Sequence, residues 1–202
     1  MLPIIIVISI GLAIIITARP EITRNPGGKI LAFLALFVLP SVSGVWGVAA
    51  HLEQSKKTVF CLSCHPMYEY GKSLLVDDAE FVPAVHYQNN FIPRDKACYT
   101  CHTDYTLYGD LNSKIRGLRH LMVFYSGNIP DTLQLYSPYN NRECLNCHSG
   151  MRKFEESSPH IETPMTRDSL SLNTLSCLSS GCHDVIHDVH NLDDVALYND
   201  SL

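Results

Sequence analysis

Four short stretches of this chain carry its chemistry: CLSCH at 61–65, CYTCH at 98–102, CLNCH at 144–148 and CLSSGCH at 177–183. In the first three, two cysteines stand two residues apart and a histidine follows the second directly. That is the attachment signature of c-type haem. The fourth keeps the pattern with two extra residues between its cysteines. Thioether bonds from Cys61 and Cys64, Cys98 and Cys101, Cys144 and Cys147, and Cys177 and Cys182 would fix each porphyrin by one edge. The adjacent His65, His102, His148 and His183 would then reach the irons from one side. These motifs use all eight cysteines of the chain, so no thiol remains for a disulfide framework. C-x-x-C pairs also build zinc ribbons, but here a histidine follows all four pairs. The spacing therefore predicts four covalently bound c-type haems.

Ten histidines are present, and six lie outside the motifs. Two-histidine ligation keeps a haem iron closed and suited to electron transfer. His86, His160, His187 and His120 are the candidates for the far side of the irons, with His190 and His51 behind them. His187 lies four residues after His183. On a helix the two would share a face and could not clasp one iron from opposite sides, so His187 would serve a neighbouring haem. Met67 raises a separate question. It lies two residues past His65 and so on the same side of the first haem. It could replace His65 as a soft thioether ligand that raises the potential, or it could pack on the porphyrin.

Charged residues make up 17% of the chain and the formal net charge is -5, a balance that gives no support for nucleic-acid binding. The apolar residues collect at the N-terminus. Residues 1–18 and 30–50 carry no charge and as helices would span about 27 and 31 Å, close to a hydrocarbon core of roughly 30 Å. The second segment predicts a transmembrane helix kinked at Pro40. The first reads as a retained helix or as a cleaved signal, although no basic n-region precedes it. The loop 19–29 between them holds Arg19, Arg24 and Lys29 against Glu21, which places it in the cytoplasm, and NPGG within it is a turn signal. Residues 51–202 then form an extracytoplasmic domain, where haem is attached to cysteine. Short helices are expected at 68–76, 105–125 and 183–198. So little aliphatic patterning over about 150 residues would not make a core unaided. The expected fold is a membrane-anchored multihaem cytochrome c: an N-terminal helical hairpin and a small, mostly α or irregular domain wrapped around four haems.

The chain resembles the membrane-anchored tetrahaem quinol dehydrogenases of the NapC/NirT/NrfH type over roughly residues 20–190. The resemblance rests on a membrane helix shortly before the first motif and on PM after that motif. It rests further on AVHYQN at 84–89, CLNCHSGM at 144–151, His160 before the last motif and CHDVIH at 182–187. It implies that Met67 is the proximal ligand of the first haem in place of His65, and that this haem borders a quinol site. It implies that His86 and His187 are distal ligands and that Lys114 lines the quinol site. The chain departs from the pattern in its stretched fourth motif, in a possible second membrane helix, and in KIRGLRHLMVFY at 114–125, which lacks the acidic residue expected shortly after the lysine.

On this resemblance, a menaquinol or ubiquinol gives electrons to the haems, and Lys114, His120 and either Asp104 or Asp110 supply hydrogen bonds and proton release. The electrons go to a periplasmic reductase or cytochrome acceptor. The setting is the cytoplasmic (inner) membrane of a prokaryote with the haem domain on the periplasmic side. Two rival readings stand beside this one: a pure electron-transfer subunit of a larger membrane complex fed by another redox protein, and a terminal enzyme that reduces a small molecule at the first haem. No signalling module favours a haem-based sensor.

Overall fold

The structure is a computed structural model, which describes residues 2–130, 135, 137–162, 164–183, 186–187 and 196–198. The chain forms two compact units, Met1–Ser55 and Lys56–Leu202.

The first unit is built from two helices. α1 covers Leu2–Ala18 and α2 covers Pro26–Gln54. The turn between them is set by Asn25, whose side chain accepts the Gly28 N–H at 2.8 Å while Pro26 opens the helix. Proline suits that first position because its missing N–H would have no helical partner there. Gly28 has no alternative, since a Cβ at that position would lie 1.5 Å from the Ile22 carbonyl oxygen. α2 is long and apolar enough to cross a membrane by length and composition, and α1 is apolar but shorter. Leu34–Val38 widens to a π turn in which the Leu39 N–H bonds back to Leu34 O. Pro40 explains this: its ring crowds the carbonyl four residues earlier and it donates no hydrogen bond, and the extra residue in the turn absorbs the misfit. α1 packs along α2, and the buried positions are aliphatic or small: Ser9, Ile16, Ala35 and Ser43. The outward positions are apolar, with Val7, Ile14, Phe37 and Trp46 all exposed.

The second unit is a succession of short helices and turns: α3 Thr58–Leu62, α4 Tyr68–Lys72, α5 Val82–Gln88, α6 Ala97–His102, α7 Gly109–Tyr125, α8 Asn141–His148, α9 Arg152–Glu155, α10 Ser158–Ile161 and α11 Pro164–Ser171. Its apolar interior is thin. Leu74, Ile92 and Ala97 form one buried cluster and Val76 with Ala84 another. The expected helix at 183–198 does not form in its described parts. His187 adopts a left-handed φ of +56°, and Leu197 makes an antiparallel bridge to Val76. Residues 184–185 and 188–195, including His190, lie outside the described residues.

With so little greasy core, polar side chains hold the motifs in register. Thr58 sits three residues before Cys61. Its hydroxyl donates to Arg94 O at 2.7 Å and accepts the Ala97 N–H at 2.8 Å, so it joins the first motif to the start of the second. Asn141 sits three residues before Cys144 and is almost fully buried. Its amide donates to Leu170 O at 2.9 Å and Leu175 O at 2.5 Å, and its side-chain oxygen accepts the Cys177 N–H at 2.8 Å. That residue joins the third motif to the fourth. Replacing Asn141 by Ala strands two carbonyls and one N–H. The expected cost is about 3 kcal/mol, which lowers Tm by roughly 6–12 °C for a unit of this size. Thermal unfolding of the purified protein checks this, and an unchanged Tm would mean the clamp carries no stability.

Candidate functional site

The first three motifs occupy helix ends. Cys61 is in α3, with Cys64 and His65 in the turn that follows it. The second motif lies within α6 and the third within α8. An α-helix puts the two cysteines of C-x-x-C on neighbouring faces and the histidine one turn beyond the first cysteine. The fourth motif lies past the end of α11 in a tight loop instead. There the Cys182 N–H bonds Ser179 O at 2.9 Å and the His183 N–H bonds Cys177 O at 3.1 Å. Gly181, at φ +81°, makes that reversal, a backbone state that costs glycine nothing. The loop takes up the two extra residues and returns His183 to the first cysteine of its motif.

The motifs meet in two pairs. Before haem is attached, the free thiol of Cys61 lies against that of Cys98, and that of Cys144 against that of Cys177. In each pair one sulfur is held as acceptor. The bond from Cys98 draws Cys61 down to about 7 against its burial, with Lys114 nearby adding to the effect. Cys144 draws Cys177 down to about 7 in the same way, and the donors Cys98 and Cys144 are pushed up.

The histidines meet in three pairs. The His148 ring lies 5.8 Å from that of His86, His102 lies 6.1 Å from His187, and His183 lies 6.4 Å from His160, centre to centre. An imidazole nitrogen sits about 2 Å from a bound metal ion, so two rings that clasp one ion from opposite sides have centres roughly 6 Å apart. The separations therefore fit a shared iron. In each pair one member belongs to a motif and the other comes from elsewhere in the chain.

Hydrogen bonds settle the tautomers of the three outside members. His86 Nδ1 is 2.7 Å from Val82 O and His160 Nδ1 is 3.0 Å from Phe154 O. A carbonyl only accepts, so Nδ1 carries the proton in both. His187 Nδ1 is 2.6 Å from Ser73 Oγ, whose own hydrogen goes to Tyr70 O at 2.6 Å. The serine oxygen can then only accept from the imidazole. All three rings thus present Nε2 with a free lone pair, the form in which histidine binds a metal. Burial, with His102 beside it, lowers the His187 pKa to about 4. Burial also lowers His102, aided by His120, and His148, aided by His86, His183 and His160. All three shifts favour the neutral ring, the form in which histidine binds a metal.

His65 stands apart. It and Met67 share one turn, His65–Met67, and among the described residues no histidine ring faces His65. His120 is on α7, close enough to His102 to act on its charge, but none of the three ring pairs includes it. His51 is exposed near the end of α2.

Lys114 belongs to a polar group beside the first two motifs. Its Nζ lies 4.5 Å from the centre of the Tyr99 ring, and its charge reaches Cys61. Asp110, one turn earlier on α7, accepts the Tyr99 hydroxyl hydrogen and pairs with Lys56 at 2.8 Å. Bonds from Lys56 and then Tyr99 hold the Asp110 carboxyl below its ordinary range, whereas burial and the Asp110 bond raise Tyr99. Asp104 is otherwise engaged: Arg142 takes it at 2.9 Å. A cavity of about 450 Å³ lies beside this group, its walls including Tyr99, Thr103, Tyr105, Asp110 and Asn146. Lys56 and Tyr99 escaped the sequence reading because neither stands at a position that the motif spacing marks. Asp110 was found only as one of two choices.

The NapC/NirT cytochrome c family, N-terminal region, matches residues 26–194. No curated protein and no solved structure matches the chain. A match over most of the chain, on a chain with C-x-x-C-H helices and paired imidazoles, identifies it: this protein belongs to the NapC/NirT cytochrome c family, membrane-associated cytochromes that carry covalently bound c-type haem and transfer electrons.

Proposed function

We propose that this chain binds four c-type haems, takes electrons from a membrane quinol near the first of them, and passes them to a periplasmic reductase or cytochrome. The observation that carries the reading is the asymmetry of the histidines. Three motif histidines have an imidazole partner at roughly 6 Å, and the first has Met67 in its own turn instead. On this reading His102 and His187 would hold the second haem, His148 and His86 the third, and His183 and His160 the fourth, a grouping that the ring pairs support. His65 or Met67 serves the first, with the family resemblance favouring Met67. Each haem, when bound, accepts and gives up one electron.

The protein's own groups handle the protons. A quinol that loses two electrons also loses two protons, and Asp104 and Asp110, which both line the cavity beside Tyr99, are the candidate acceptors. Lys114 holds an oxygen of the quinol ring and favours its deprotonated form. Each of the two aspartates is held by a basic partner, Asp104 by Arg142 and Asp110 by Lys56. Connectivity supports the location. Six residues separate Gln54, the end of α2, from Cys61, and a chain of that length reaches at most about 25 Å. The first haem therefore cannot lie far from the end of the membrane helix. α7, which carries Lys114 and Asp110, exposes Leu111, Ile115, Leu118 and Met122 within an arc of roughly 60° at 100° per residue. Such a stripe suits a helix at a lipid surface. α1 serves as a second membrane helix beside α2. The rival reading, a conduit fed by another redox protein, leaves the Lys114–Asp110–Tyr99 group without a role.

Two predictions follow from these assignments. Replacing His86, His160 or His187 singly by Ala turns one haem per molecule from low-spin to high-spin, and electron paramagnetic resonance counts it. A variant that stays fully low-spin removes that histidine from the ligand set. Asp110→Asn or Lys114→Ala slows reduction by a menaquinol analogue by about 10²-fold or more while dithionite still reduces every haem. If the isolated protein is not reduced by any quinol, the conduit reading replaces the proposal.

A further inference from the structure

The three distal histidines do not hold their Nδ1 protons in the same way. His86 and His160 lean on backbone carbonyls, Val82 O and Phe154 O. His187 leans on a side chain, Ser73. We infer that Ser73 is a positioning residue for the second haem: its hydroxyl fixes the tautomer and ring plane of His187 and thereby helps set that haem's reduction potential. This rests on the assignment of His187 to the second haem.

The surroundings of Ser73 suit the task. It has no solvent exposure, so water cannot substitute for its oxygen. Its hydrogen is committed to Tyr70 O at 2.6 Å, which leaves the oxygen as an acceptor aimed at His187. The Tyr70 ring meets the His187 ring edge-on at 5.7 Å and limits its rotation. The segment that carries Ser73 is itself fixed from two directions. Gln88, two residues past His86, donates to Leu74 O at 3.2 Å and Val76 O at 2.9 Å. The chain beyond His187 is tied back through Asp77 N to Ala196 O at 2.8 Å and Tyr198 N to Leu75 O at 2.7 Å. His187 holds a left-handed φ of +56°, a state that persists in a non-glycine residue only when the surroundings over-determine it. Ser73 is one of the residues that do so.

The chemical consequence has a sign. An acceptor on Nδ1–H makes the imidazole a stronger donor through Nε2. Ferric iron gains more from that donation than ferrous iron does. Loss of the acceptor therefore raises the potential of this haem.

The test is Ser73→Ala in the full-length, haem-loaded protein in detergent, with His187→Ala alongside. Ser73→Ala is expected to keep four haems, all with their original coordination number. One low-spin resonance shifts in g value, and one midpoint potential rises. A tenfold change in the ferric-to-ferrous preference, the lower end of what outer-shell partners contribute, reads as 59 mV in a one-electron couple. If Tm falls but every g value and potential stays as in the parent, Ser73 only caps the turn after Tyr70 and the inference is overturned. If Ser73→Ala fails to assemble, Ser73→Cys is read in the same way, since it keeps the side chain's size and offers only a weak sulfur acceptor. His187→Ala separates the two layers of the argument: a variant with no newly high-spin haem overturns the ligand assignment, whatever Ser73 does.

Discussion

An imidazole can offer a lone pair to iron through one nitrogen only while the other holds the proton, and a buried ring keeps that arrangement only where something accepts the proton's hydrogen bond. Much of the second unit serves this constraint. His86 lies one turn after Val82 on α5 and bonds its carbonyl. His160 lies in α10, just past α9, where it reaches Phe154 O. His187 crosses 114 positions of sequence to reach Ser73. The helices that supply these acceptors are short. The domain is a set of brackets for paired rings rather than a layered fold around an aliphatic core.

The brackets are themselves held by polar clamps in equivalent places. Thr58 and Asn141 each stand three residues before the first cysteine of a motif, and each bonds a backbone group at the start of the next motif. The first cysteines of the same motif pairs lie side by side. The first two motifs and the last two thus form two units of like construction. Tyr139, whose hydroxyl donates to Cys101 O, and Arg142, paired with Asp104, join one unit to the other. A buried clamp made of one side chain is economical, but it leaves stranded partners when it is lost. The stability of the domain should therefore be concentrated in few residues.

The chemistry was legible in the sequence because covalent attachment demands cysteines and histidine at fixed spacing. The apolar run of α2 was legible because a bilayer demands length. His86, His160 and His187 could be singled out as candidates, but their partners could not. The pairing joins positions as far apart as His86 and His148, or His102 and His187, and no local pattern records it. The expected helix over 183–198 failed where it could be checked, because His187 must turn out of helical geometry to meet His102. Ser73, Thr58, Asn141 and Lys56 left no signal, since each acts through a single hydrogen bond or ion pair to a distant part of the chain. Asp104 and Asp110 were both visible, and the structure gives each a basic partner, Arg142 and Lys56.

In the proposed arrangement three irons are clasped by histidine pairs while the first is held differently. The most direct measurement is the low-temperature magnetic circular dichroism of the oxidised, purified protein, with haem content fixed by iron and protein analysis. The near-infrared bands report the ligand pair at each low-spin haem. Four haems are expected, of which three give the bis-histidine signature and one does not. Four identical bis-histidine haems, or fewer than three, would contradict it.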